Sequence, residues 1–110
     1  MNDGLQPLRL HAGWSVVFND FTEYDPERAG EGDAFCLHED LLQLRHERAG
    51  LAIDLGWYPD GDRNGRYVLL LVRGQDWDAP LERAESRSRD GIAGLIECWT
   101  DEAFWGRYGG

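Results

Sequence analysis

Leu42-Gln43-Leu44-Arg45-His46-Glu47-Arg48-Ala49-Gly50-Leu51-Ala52-Ile53-Asp54-Leu55 is the stretch whose reading decides the fold. Leu42, Leu44 and His46 alternate with Gln43, Arg45 and Glu47, the period of two expected of a strand with one buried face. Ala49-Gly50 supplies a turn, after which Leu51, Ile53 and Leu55 resume the alternation, so the segment predicts a β-hairpin. On its C-terminal side, Pro59-Asp60-Gly61-Asp62-Arg63-Asn64-Gly65 is dense in turn formers. The near-continuous apolar run Tyr67 to Val72 then predicts a central strand buried on both faces. Gly74 ends that run, residues 76–80 turn the chain, and the more polar residues 81–87 suit an edge strand whose charges discourage edge-to-edge association.

Ser88 reads as an N-cap with Asp90 in the first turn, and Ile92, Leu95, Ile96 and Trp99 stand at i, i+3, i+4 and i+7, one stripe of a helix over about residues 89–100. Gly91 and Gly94 weaken this helix by about 1 kcal/mol each relative to alanine, so tertiary packing of the stripe has to hold it. On the N-terminal side of the hairpin, Trp14, Val16 and Phe18 alternate with Ser15, Val17 and Asn19 and predict a first strand with one large apolar face. Phe35, Cys36 and Leu37 add a short extended piece. Strands first and helix last predict an α+β fold: an antiparallel meander of four or five strands with a C-terminal helix packed on one face. Residues 106–110 are expected to fray.

One domain over residues 1–110 accounts for a chain of 110 residues that is 42% hydrophobic and 29% charged. By surface scaling such a chain buries about two thirds of its unfolded surface, enough for a core without disulfides or metals. Twenty-one acids against eleven arginines, with no lysine, leave a net charge of −10. That field repels phosphate backbones and anionic lipid, so neither direct nucleic-acid binding nor membrane-surface binding is expected. Eight acids and one arginine lie between Asn19 and Asp40, which gives this fifth of the chain seven of the ten net negative charges. Pro26, Gly30 and Gly32 and the absence of any period make residues 20–33 an acidic loop, either a solvated segment or a docking surface for a basic partner.

Cys36 and Cys98 are 62 residues apart, in neither a CxxC nor a spacing with histidine that suits a metal. Both fall in apolar segments, which predicts buried, reduced thiols in a cytoplasmic protein. Residues 1–10 lack the basic and apolar regions of a signal peptide, and no apolar run reaches the roughly 20 residues of a membrane span. His11, His38 and His46 sit near no serine or cysteine in a nucleophile motif and read as surface or pairing residues. No phosphate loop is present. The sequence therefore predicts no enzyme and no cofactor, with a small enzyme built on His38 or His46 as a third reading.

Asp60-Gly61-Asp62-Arg63-Asn64-Gly65 matches the first half of a calcium loop, but Leu71 occupies the position of the closing glutamate and a strand follows instead of a helix. A hairpin turn explains the same residues without metal. Five tryptophans exceed what so small a core requires. Trp14 and Trp99 lie on apolar stripes and read as core. Trp57 with Tyr58, and Trp77 between Asp76 and Asp78, stand beside turns flanked by acids, where they either anchor an interface or cap the ends of the core. Phe104, Trp105 and Tyr108 have the option of folding back over the sheet.

Ile53-Asp54-Leu55-Gly56-Trp57-Tyr58-Pro59-Asp60-Gly61-Asp62, with Gly65-Arg66-Tyr67-Val68-Leu69, Asp76-Trp77-Asp78-Ala79-Pro80-Leu81 and Ser86-Arg87-Ser88 before a helix, resembles small acidic bacterial immunity proteins of polymorphic-toxin and contact-dependent growth inhibition systems. The resemblance spans residues 14–99 and is best over 53–88. It implies a non-enzymatic cytoplasmic inhibitor that binds one cognate toxin domain, often a nuclease, and covers its active site or substrate path. It carries over no binding residues, because such interfaces diverge with their toxins. Physics supplies the candidates: Asp20, Glu23, Asp25, Glu27, Glu31 and Asp33 to steer a basic toxin, and Trp57, Tyr58 and Trp77 to anchor it. A monomer or weak dimer is expected, since −10 per chain opposes self-association. The alternative is a small-ligand or calcium-binding module centred on residues 60–65.

Overall fold

The computed structural model describes residues 5–22, 38–62 and 64–108. Glu23, Asp25, Glu27, Glu31 and Asp33, Cys36 and the extended piece expected at 35–37 lie outside the described residues. Five strands, β1 (Ser15–Asn19), β2 (Leu42–His46), β3 (Leu51–Tyr58), β4 (Arg66–Arg73) and β5 (Glu82–Ser86), precede α1 (Arg89–Trp99) and the single turn α2 (Glu102–Trp105). The strands form one antiparallel sheet in the order β1-β2-β3-β4-β5, the meander that the hairpin alternation predicts.

Register sorts the side chains. Leu44 pairs with Ile53 and Ile53 with Leu71, while Leu42 pairs with Leu55 and Leu55 with Leu69, so these residues share one face. They pack with Trp57 and Tyr67 against Ile92, Ile96 and Trp99 of α1 and Trp105 of α2. Each fully buried Leu, Ile or aromatic of this kind contributes about 1.5–3 kcal/mol by removal from water, which offsets the two glycines in α1. Ser88 caps α1, its Oγ accepting from the Gly91 N–H at 3.0 Å. The outer face, away from the helices, carries the row Phe18, Gln43, Asp54, Leu70 and Arg83, one residue from each strand. Val68 and Val72 on that face are buried as well, so β4 is the doubly buried strand expected of an apolar run.

β1 departs from its expected single apolar face. Val16 pairs with Leu44 and Phe18 with Gln43, so an irregularity at Val17 sends Phe18 to the outer face. Val16 and Val17 are each 50% exposed. The acidic loop does not begin at residue 20: Phe21 is a core residue, its N–H held by Asn19 Oδ1, and Thr22 bridges to Leu5.

The C-terminal segment is held where fraying is expected. Trp105 is buried, the Tyr108 hydroxyl donates to Glu82, and Arg73 donates to the Tyr108 carbonyl at 2.6 Å. The Thr100 carbonyl accepts from the indoles of both Trp14 and Trp105, at 3.0 and 3.1 Å, tying the N-terminal segment to the end of α1. Cys98 lies on the exposed side of α1, contrary to the buried thiol expected, because the stripe turned to the sheet is Ile92, Ile96 and Trp99. Gly94 has open space where a Cβ would stand. Gly94→Ala should therefore raise unfolding stability by up to about 1 kcal/mol, and Ser88→Ala should lower it by about 1 kcal/mol, both read from urea denaturation midpoints.

Candidate functional site

Where β2 begins and β3 ends, the chain gathers carboxylates. The Trp57 N–H donates to the His38 carbonyl at 2.7 Å and the Leu41 N–H to the Leu55 carbonyl at 3.0 Å, so residues 38–41 run beside the end of β3. Asp20 joins them through its N–H to the Leu41 carbonyl at 2.6 Å, and Asp60 through its Oδ1, which accepts from the Glu39 N–H at 2.9 Å. Asp20, Glu39, Asp40 and Asp60 thus meet at one corner of the sheet, all exposed.

Tyr58 stands in their midst, 39% exposed. A Cβ at Gly56 would lie 2.8 Å from Tyr58 Cε2 and 3.0 Å from its hydroxyl, and would overlap the Glu39 carbonyl. The ring is therefore laid back along the strand over Gly56, in space only glycine leaves open. Its hydroxyl pKa is raised by burial and by the charges of Asp54, Glu39 and Asp40, with Arg83 opposing. Asp54 sits two positions further back on the same face, between Gln43 and Leu70. Burial pushes its carboxyl up to about 6; the Gln43 side chain, hydrogen-bonded to it, opposes the rise and the nearby Asp40 adds to it.

The corner brings together only part of the expected interface. Asp20 and Tyr58 are there, joined by Glu39, Asp40 and Asp54. Trp57 is not an anchor: it is 0% exposed, its indole donates to the Asp62 carbonyl at 2.7 Å, and its ring meets Tyr67 edge-on. Strand period puts Trp57 on the inner face with Leu55 and Tyr58 on the outer one, and the helices cover the inner face. Trp77 is half-buried in the β4–β5 turn, at the other end of the sheet from Tyr58, so the two do not form one patch.

Residues 60–65 connect β3 to β4, and several of their oxygens already accept hydrogen bonds. Asp60 Oδ1 accepts from Glu39, Asp62 Oδ1 from the Asn64 N–H at 2.8 Å, and the Asp62 carbonyl from Trp57 and the Gly65 N–H. Among the described residues no group of three or more His, Cys, Asp or Glu is placed to hold a metal ion, and no helix is long and apolar enough to cross a membrane. His46, expected as a surface or pairing residue, is buried between the rings of Trp14 and Trp105. No family model, curated protein or solved structure matches the chain.

Two tests follow from this geometry. The folded-state pKa of Asp54 lies above that of an unfolded aspartate, so its stabilising contribution is complete below about pH 4 and is lost as pH rises through about 6. Asp54→Asn should accordingly gain stability relative to the parent as pH goes from about 4 to about 7, measured by urea midpoints across that range. Millimolar calcium should leave Tm unchanged in thermal melts, since binding would have to displace the turn's own hydrogen bonds.

Proposed function

We propose that this chain is an immunity-type inhibitor that binds a cognate bacterial toxin domain in the cytoplasm and occludes a basic cleft on it, with a nuclease as the expected target. The observation that carries the reading is the exposed Tyr58 ring seated over Gly56 among the carboxylates of Glu39, Asp40 and Asp54. A nuclease binds its substrate through a basic surface, and carboxylates presented on a rigid sheet end occupy such a surface in place of phosphates. Complementary charge raises the association rate, whereas exposed ion pairs add only about 0–1 kcal/mol each to affinity, so the interface also requires an anchor that loses its water. Tyr58 supplies that anchor at low entropic cost, because its ring is already placed. Asp20 extends the same field, and no role in catalysis is assigned to any residue.

The product of the adjacent gene is the partner to test. It should co-purify with this chain, and its nuclease activity should fall stoichiometrically as the chain is added. Tyr58→Ala should weaken the complex about tenfold or more, mainly through faster dissociation. Glu39→Gln with Asp40→Asn should slow association and flatten its salt dependence. A neighbour that neither binds nor changes activity at excess inhibitor refutes the proposal.

A further inference from the structure

At the opposite end of the sheet from Tyr58, about 20 Å away along β3, lies a half-open cleft of about 520 Å³. Its walls come from three separate places: His11, Gly13 and Ser15 before and at the start of β1, Glu47 and Arg48 in the β2–β3 turn, and Asp101, Glu102 and Trp105 around α2. Such a volume lies in the range of small-molecule sites.

The floor is His46, only 5% exposed. Its ring stands edge-on to Trp14 at 5.3 Å between centroids and tilted against Trp105 at 4.5 Å, and both indoles are pinned by the Thr100 carbonyl. His46 Nδ1 accepts from the Ala49 N–H at 3.1 Å, so the neutral ring carries its proton on Nε2. Among the described residues Nε2–H has no hydrogen-bond partner. It is also not enclosed, because the buried unpaired side-chain atoms are Gln6 Oε1 and Arg45 Nε, and His46 lines the cleft. A Cβ at Gly13 would overlap Nε2, and with φ at +98° this position is glycine's on both counts. The N-terminal turn thereby crosses the imidazole edge without placing a side chain on it.

The chemistry of the occupant follows from these groups. A protonated Nε2 has no lone pair for a metal ion but donates a hydrogen bond, so the ligand brings an acceptor. Three acidic residues, Glu47, Asp101 and Glu102, line the cleft with one arginine, Arg48, so the ligand brings a positive charge. Asp101 Oδ1 is committed to the Ala103 N–H at 3.0 Å, which leaves its second oxygen for the cleft.

We infer that the His46 cleft binds a basic amino-acid residue, its carbonyl on His46 Nε2–H and its guanidinium or ammonium group among Glu47, Asp101 and Glu102. Such a residue is available free or within a protein chain. The inference does not rest on the toxin reading, since the site is remote from Tyr58 and is testable without a partner protein.

Titration of the full chain by NMR, following the His46 imidazole and the Trp14 and Trp105 indole resonances, tests it with L-arginine and Nα-acetyl-L-argininamide. Saturable shifts with half-saturation near about 1 mM are expected for at least one of them, the affinity of a few weak polar contacts. Tighter binding of the capped amide identifies a chain-borne residue, and tighter binding of L-arginine identifies the free amino acid. Nα-acetyl-L-citrullinamide, which keeps the acceptor and loses the charge, should bind at least about threefold more weakly. Glu102→Gln and Glu47→Gln, both exposed, should each weaken binding about twofold to fivefold with unchanged Tm. Equal binding of the citrulline compound, or no saturable shift at these resonances with either arginine probe, overturns the inference.

Discussion

Ile53 and Asp54 are neighbours in the chain and lie on opposite faces of the sheet, and everything else depends on which of them faces the helices. Ile53 pairs with Leu44 and Leu71 on the inner face, while Asp54 pairs with Gln43 and Leu70 on the outer one. A slip of one residue in β3 would exchange the sets, burying a carboxylate beneath α1 and exposing Ile53, Leu55 and Trp57. Leaving those three in water would forfeit several kcal/mol, and a charge without a partner in the core would cost more, so the register has no close competitor. The packing that secures the register also holds α1, whose glycines leave it little stability of its own.

The same register builds the two ends of the molecule. At the end of β3 it turns Tyr58 outward over Gly56 and aligns Asp54 behind it, and residues 38–41 bring Glu39 and Asp40 alongside. At the end of β2 it turns His46 inward, where Trp14 and Trp105 enclose its ring and leave one nitrogen at a cleft edge. One end offers an exposed acidic corner with a seated aromatic, the surface on which the proposed basic partner would dock. The other offers a concave site with a single directed donor, suited to something of residue size.

Much of the fold is legible as local pattern. The alternation at 42–46 and 51–55, the turn at Ala49-Gly50, the apolar run at 67–72 and the Ser88 cap all describe interactions within a few residues or across one hairpin, and they survive folding unchanged. β1 is less legible, because its irregularity at Val17 is set by how it meets β2 and leaves the 14–18 alternation in the sequence untouched. The end of the chain is less legible again. Residues 106–108 look free to fray until Tyr108 meets Glu82 and Arg73, whose strands lie more than twenty residues earlier.

The functional corner divides along the same line. By itself the sequence determines the net charge of −10, its concentration between residues 19 and 40, the strand and helix periods, and a tyrosine and tryptophan adjacent at a turn, since these are properties of composition and spacing. Only the tertiary structure decides that Trp57 is core and Tyr58 is surface, that Asp54 belongs with Glu39 and Asp40, and that Trp77 lies apart from them. Strand period places neighbouring side chains on opposite faces, but which face is covered depends on where the helices pack. Coulombic proximity is likewise a product of the fold, with Asp40 and Asp54 fourteen positions apart in the chain and close enough in space for the charge of Asp40 to raise the Asp54 pKa.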